Sequence, residues 1–459
     1  MTMPADERFA IALDHEDSLA PMRDQFHIPA IGAIVNAATN GTVQPDKPLD
    51  PCVYLVGNSL GLQPTATLKA VSEDLYAWQR LGVEGHFHAK HPWFPAHEFV
   101  RENLAEVVGA MPTEVVAMNS LTTNLHLLCA SFYRPTRERH KIVIEDAAFP
   151  SDSYAMQSQL ECHAGLLSRA SAAHAFEPRA GLIRLKPRDG AECLTTDDIL
   201  ATIDRERNSI ALLMLSGVNY RTGQFFDMKT ITAFAQARGI TVGWDLAHAA
   251  GNIHLHLHDW NPDFAAWCSY KYLNSGPGAI AGAFVHERHH RKSQQELPRL
   301  AGWWGNDPAS RFKMGPDFTP VASADSWQLS NPPVLALTPL RVSLELFAGV
   351  GMAGLNEKAR KLTGYFESQV HEASKAMGGK AKVEILTPMT AADRGCQLSL
   401  RVSTSSGRTP REVHKQLLAQ GMVTDFREPD VIRAAPVPMY NSFHDVWRFV
   451  KCLQATLVV

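Results

Sequence analysis

Five short apolar runs limit the fold of this chain more than any other feature: EVVAM (114–118), KIVIE (141–145), SIALLML (209–215), ITVGW (240–244) and AIAGAFV (279–285). Several are apolar on both faces, as parallel strands covered by helices on each side are. The intervening segments carry a helical period. PTATLKAVSEDLYAWQRLG has Pro64 in its first turn, Leu68, Val71, Leu75 and Trp78 on one face, and Gly82 at its end. For residues 56–335 this predicts a large α/β domain, a mostly parallel central sheet flanked by helices. Polar residues cluster directly after the apolar runs, at 119–122, 146–152, 216–219 and 245–248. Open α/β sheets bind ligands beyond the carboxyl ends of their strands, so a ligand site is expected there.

The style changes after NPPVLALTPL. A long helical segment is expected from about 338 to 377. In CQLSLRV, Leu398, Leu400 and Val402 recur at period two, which suggests a half-exposed antiparallel strand. TPREVHKQLLAQG carries a capping box, Thr409 to Glu412, and ends at Gly421. Residues 336–459 therefore read as a smaller α+β domain, and the polar, proline-dotted residues 1–55 as a segment packed on it. A chain of 459 residues has room for two or three such units. Net charge −3 gives no reason to expect nucleic acid or an anionic membrane as partner, and the apolar runs are too short to span a bilayer. The acidic N-terminus lacks the pattern of a signal peptide. Seven cysteines stand singly, with no CxxC pair, as expected of reduced thiols in a cytoplasmic protein.

Chemistry concentrates around Lys271. It lies in CSYKYLNSGPG, 26 residues after Asp245 of WDLAHAAG. A lysine amine can form a Schiff base with the aldehyde of pyridoxal 5′-phosphate, and a carboxylate at a strand end can pair with the cofactor's protonated ring nitrogen. Asp245 is otherwise a helix cap, and His248 is either a polar contact or a packed core histidine. MNSLTTNLHLL offers Thr122 and Thr123 at a helix start, for a phosphate or as a plain cap. AAFPSDSY offers the flat ring of Phe149 with Ser151 and Asp152 beside it, or an ordinary helix start through Pro150. HLHLHD would place His254, His256 and His258 on one strand face, but no carboxylate or cysteine stands at ligand spacing, so no metal is assigned.

These motifs together resemble the kynureninase family of fold type I pyridoxal-phosphate enzymes. The resemblance is carried by YLVGNSLG, FPSDSYA, SGVNYRTGQ, WDLAHAAGN, HDWNPDFAAWCSYKYLNSGPG, AGWWG, LSNPP and APVPMYNSFHDV, spanning about residues 54–447. It implies hydrolytic Cβ–Cγ cleavage of L-kynurenine, or its 3-hydroxy derivative, to L-alanine and anthranilate or 3-hydroxyanthranilate, within tryptophan catabolism and NAD biosynthesis. It also implies a homodimer with sites at the subunit interface. By the same resemblance Lys271 carries the cofactor and moves protons, Tyr270 assists, and Asp245 pairs with the ring nitrogen. Leu121, Thr122, Phe149, Pro150, Ser151, Asp152, Ser216, His248, Tyr270, Trp303 and Asn331 hold ring and phosphate. Arg433 receives the substrate α-carboxylate, with Ser59, His86 and Asn331 near the substrate. A cysteine desulfurase, selenocysteine lyase or aminotransferase on the same fold is the alternative. The desulfurase and lyase chemistry needs a reactive cysteine in the smaller domain, for which Cys396 is the candidate.

Overall fold

The computed structural model describes residues 3–405 and 407–458. Its central sheet has seven strands, in the order Val115–Ala117, Gly282–Val285, Phe264–Trp267, Thr241–Asp245, Ile210–Ser216, Lys141–Glu145 and Leu182–Leu185. The neighbours from Phe264–Trp267 to Leu182–Leu185 pair in parallel, and Gly282–Val285 runs antiparallel to both of its neighbours. The central strands are buried on both faces because helices cover each side, which accounts for their unbroken apolar runs. Glu145, Ser216 and Asp245 are the last residues of three adjacent strands and come together at one edge of this layer.

A second sheet has four antiparallel strands, in the order Ala381–Ile385, Leu398–Thr404, Val431–Ala434 and Asp425–Arg427. Leu398, Leu400 and Val402 enter a separate apolar core with Phe366, Phe449 and Leu453. Ala10, Val53 and Leu55 from the N-terminal residues join the same core, whereas Phe26, Ile31 and Val35 join that of the large sheet. The capping box at Thr409 and Glu412 forms as expected.

Two segments differ from the sequence expectation. The long helix past 338 is two helices, Val334–Val350 and Met352–Ala376, bent by 81°. Gly351 sits between them at φ 76, a left-handed conformation that glycine adopts without the Cβ clash other residues meet. Leu337, Leu340, Leu344 and Phe347 of the first helix pack into the large-sheet core, and the second core takes over from Leu362. The helix Thr67–Leu81 forms, but its apolar stripe points outward. Leu68, Leu75 and Trp78 are exposed, while Asp74 is buried and accepts a hydrogen bond from Thr338.

Candidate active site

A cavity of about 310 Å³ opens beyond the carboxyl ends of the central strands. Ser59, Leu121, Thr122, Phe149, Ser151, Asp152, Ser216, Asp245, His248, Tyr270 and Lys271 all line it. Ser216 and Asp245 end strands of the central sheet, Lys271 and Tyr270 follow another, and Leu121, Thr122, Ser151 and Asp152 stand in the first turns of helices that leave the sheet at the same edge.

Lys271 follows the strand Phe264–Trp267, and its Nζ lies 3.0 Å from Nε2 of His248. Burial, followed by the charges of Lys271, Arg433 and Arg427, pushes the His248 pKa well down. The imidazole is therefore neutral at neutral pH, and its Nε2 faces the lysine amine as a hydrogen-bond acceptor. Its buried Nδ1 has no protein partner. Asp245 Oδ1 accepts from the backbone N–H of Ala247 at 2.8 Å. The Tyr270 ring centroid lies 6.0 Å from Lys271 Nζ, and burial raises the pKa of the tyrosine hydroxyl. Burial, and after it the charge of Asp245, raises the pKa of Asp152 well above the carboxylate range.

On the opposite wall, the helix Leu121–Phe132 points its N-terminus at the cavity. Thr122 Oγ1 lies 2.8 Å from Ser151 Oγ at the start of the helix Pro150–Ala170, and Ser120 Oγ lies 2.9 Å from Thr123 Oγ1. Free N–H groups, clustered hydroxyls and a helix dipole form an anion site suited to a phosphate. Phe149 caps the second helix and meets the Tyr220 ring edge-on, centroids 5.4 Å apart. Pro150 occupies the first turn of that helix and does not itself line the cavity.

Arg433 stands behind the lining. Its side chain is fully buried, donates to the Tyr220 carbonyl at 2.7 Å, and pairs with Asp425, which also accepts from Ser59. The arginine that reaches the cavity is Arg427, 3.0 Å from the same carboxylate. His86, Trp303 and Asn331 do not line the cavity of their own chain. His86 Nδ1 lies 3.0 Å from the Val83 carbonyl, Trp303 Nε1 donates to the Arg311 carbonyl at 3.0 Å, and Asn331 is exposed. Sequence reasoning passed over Glu145, Tyr220 and Arg427, all of which line the cavity. Glu145 was findable, since it is the final residue of the KIVIE strand; nothing local distinguished Arg427.

Cys396 is fully buried, and burial pushes its thiol up to about 12. It is packed and inert, not the accessible thiolate that desulfurase chemistry requires. The histidine run does not share a strand face. His254 and His256 pack together, ring centroids 4.6 Å apart, while His258 lies in the helical turn Leu257–Trp260 and contacts Glu114 at 3.1 Å. That carboxylate also accepts from the N–H groups of Met111 and Glu287.

Comparison with known proteins agrees with this geometry. Residues 355–453 match the kynureninase C-terminal domain family, and residues 53–392 match the class-V aminotransferase family. A kynureninase of Myxococcus xanthus is 50% identical over 449 residues, covering 98% of this chain and 96% of the relative. One from Nematostella vectensis is 46% identical over 454 residues, covering 97% and 93%. Among solved structures, a C-DES mutant with glycine covalently linked to its pyridoxal-phosphate cofactor aligns with TM-score 0.70 at 17% identity, covering 88% of this chain and 96% of that one. A cysteine desulfurase of Escherichia coli aligns with TM-score 0.69 at 18% identity, covering 96% and 98%. These structural likenesses establish the fold type I architecture.

Proposed function

The chain belongs to the kynureninase family, enzymes that use pyridoxal 5′-phosphate to hydrolyse kynurenine, and we propose that Lys271 is the residue that carries the cofactor and moves the protons of the reaction. The observation behind this is the 3.0 Å contact between Lys271 Nζ and a neutral, buried His248, beside the carboxylate that ends the central strand. The residues fit the cofactor. The cavity wall brings the strand-end carboxylate of Asp245 and the amine of Lys271 together with the hydroxyls of Thr122, Ser151 and Ser216, the groups that a ring nitrogen, an aldehyde and a phosphate require. Its helix N-terminus supplies donors for a phosphate.

When bound, the cofactor acts as an electron sink for negative charge developing at the substrate's Cα and Cβ. The neutral imidazole of His248 holds the Lys271 amine in place as a nucleophile, and Lys271 later carries a proton from Cα. Asp245 keeps the cofactor ring nitrogen protonated, and Thr122, Ser151 and the N–H groups at Leu121 hold the phosphate. Phe149, Ser216 and His248, which line the same cavity, would hold the cofactor ring. Tyr270, whose hydroxyl stays protonated, delivers the proton to Cβ as alanine forms. Arg427 and Ser59, which line the cavity, meet the substrate α-carboxylate, and Arg433 behind them supports both through Asp425 and the Ser59 hydroxyl.

His86, Trp303 and Asn331 fall outside their own chain's cavity, so we assign them to the cavity of a second copy in a homodimer, where His86 and Asn331 meet the aniline ring and admit a 3-hydroxyl. The outward stripe Leu68, Leu75 and Trp78, with exposed Phe87 and Trp303, gives that copy an apolar surface to cover. Seven free cysteines support a cytoplasmic location. Among the described residues no single helix is long and apolar enough to cross a membrane.

Lys271→Ala tests the central assignment. Turnover of L-kynurenine should fall below detection and the cofactor should wash out on gel filtration, because no covalent link holds it. A variant that kept its kcat would refute the assignment.

A further inference from the structure

Tyr220 lines the cofactor cavity, yet the scheme above gives it no task. It belongs to a turn that follows the strand Ile210–Ser216 and is closed at its base by an antiparallel bridge between Val218 and Phe225. Inside the turn, Asn219 Oδ1 accepts from the N–H groups of Arg221 and Thr222, both at 3.0 Å. These donors are satisfied within the turn, which leaves the carbonyls of Tyr220, Arg221 and Thr222 to find partners elsewhere.

All three find them on the second sheet or on residues beside it. The Tyr220 carbonyl accepts from Arg433 Nη1 at 2.7 Å and from Gln397 Nε2 at 3.2 Å. The Arg221 carbonyl accepts from the Ser399 hydroxyl, and the Thr222 carbonyl from the Thr387 hydroxyl, each at 2.6 Å. All four donors are buried, where water does not compete for the bonds. Ser399 and Arg433 face each other on adjacent strands, so the turn is fastened to a rigid ladder. The Phe225 N–H, donating to the Asp393 carbonyl at 2.8 Å, fastens its far end.

This clamp decides where the Tyr220 ring stands. The ring meets Phe149 with centroids 5.4 Å apart and planes at 82°. Phe149 is 43% exposed, so its own helix does not enclose it. In an edge-to-face pair the positive edge of one ring sits on the negative face of the other, and turning either ring loses that attraction. The guanidinium that holds the Tyr220 carbonyl also pairs with Asp425 and lies 3.2 Å from Ser59 Oγ, at the substrate end of the cavity. We propose that Tyr220 is a positioning residue for the kynurenine reaction: held by the second sheet through its own carbonyl and the next two, its ring sets the angle of Phe149, and through Phe149 the plane in which the cofactor ring lies before Lys271. This rests on the assignment of the cavity to pyridoxal phosphate.

Tyr220→Phe and Tyr220→Ala test this, because the first keeps the ring and the second removes it. The readouts are the dissociation constant for pyridoxal phosphate and the circular dichroism of the visible band per bound cofactor. An achiral ring gains that dichroism only from the way the protein holds it. Tyr220→Phe should keep both readouts within about twofold of the parent. Tyr220→Ala should weaken binding by about two- to tenfold, the scale of one aromatic pair, and lower the dichroism. On a Phe149→Ala background, Tyr220→Ala should add less than about a twofold loss, since one ring acts through the other. Additive losses in the double variant would overturn the proposal. So would a Tyr220→Phe as impaired as Tyr220→Ala, which assigns the effect to the hydroxyl. A Tyr220→Ala that lowers the urea midpoint but leaves binding and dichroism at the parent's values has lost only a structural contact, and refutes it too. If Tyr220→Ala fails to fold, Tyr220→Leu fills the space without an aromatic edge, and parent-like binding and dichroism there refute the proposal. A parent protein without a visible band would instead refute the cofactor assignment, and the proposal with it.

Discussion

Replacing Asp425 by asparagine tests how the substrate end of the cavity is held together. The carboxylate serves three donors from two parts of the chain: Arg433, Arg427 at 3.0 Å, and the Ser59 hydroxyl. Burial on its own raises the Asp425 pKa, but the charge of Arg433, the Ser59 bond and the charge of Arg427 outweigh it and hold it below 3.8. Arg433 is 0% exposed and Asp425 12%, so asparagine leaves a fully buried guanidinium without its counter-ion. Breaking a buried pair in this way costs about 3–5 kcal/mol. Asparagine keeps one acceptor oxygen and the site is slightly open to water, so the low end, about 3 kcal/mol, is expected. At a urea slope of about 1–3 kcal/mol/M this lowers the unfolding midpoint by about 1 M or more. Far-UV circular dichroism and tryptophan fluorescence should both be followed, because a large cofactor enzyme need not unfold in one step. Adding Arg433→Met should restore most of the loss by removing both charges. Since the folded pKa lies below the unfolded one, the stabilisation is complete above the unfolded value near 4 and disappears as pH falls through the folded value. The two denaturation curves should therefore converge on acidification. A variant whose midpoint matches the parent at pH 7, or curves that keep their separation in acid, would refute the charge arrangement.

Thr122→Ala removes the hydroxyl that bridges two helix starts at 2.8 Å from Ser151, and should weaken pyridoxal-phosphate binding by about five- to tenfold; an unchanged dissociation constant would take Thr122 out of the phosphate site. Replacing His86 and Asn331 by apolar residues should change the ratio of kcat/KM for 3-hydroxykynurenine and kynurenine, and a constant ratio would remove both from substrate recognition. Trp78→Glu puts a charge on the outward apolar stripe of the helix Thr67–Leu81, where the indole is 63% exposed. Sedimentation should show a shift from dimer towards monomer with loss of activity; a parent that sediments as a monomer would refute the shared site.

Much of the fold was legible because it depends on local periodicity. KIVIE, SIALLML and ITVGW became parallel strands, EVVAM and AIAGAFV joined the same sheet as an antiparallel pair, and the period-two run at 398–402 became an antiparallel strand of the second sheet. What stayed hidden depends on partners distant in sequence. Leu68, Leu75 and Trp78 have the spacing of a buried stripe, yet it is the adjoining strip with Thr67 and Asp74 that faces inward, where Asp74 meets Thr338 264 residues away. Amphipathic spacing gives the helix but not which solvent its apolar side meets. His258 was read without a carboxylate neighbour, and the fold supplies Glu114 from 144 residues away.

The same limit shapes the site. Asp245 and Lys271 could be paired from the sequence because both follow strand ends and their chemistry is complementary. Arg433 drew attention only through the family resemblance, and no sequence pattern placed it beneath Asp425, with Arg427 left facing the cavity. The rule that polar residues at strand ends line a ligand site applies equally to Glu145, which closes the KIVIE strand. Asp152 and Ser216 were taken up as parts of the phosphate and ring contacts, while the acid that touches Ser216 was left aside. Its partners are Ser216 and Asn219, more than seventy residues further along the chain, and a sequence pattern does not record that contact.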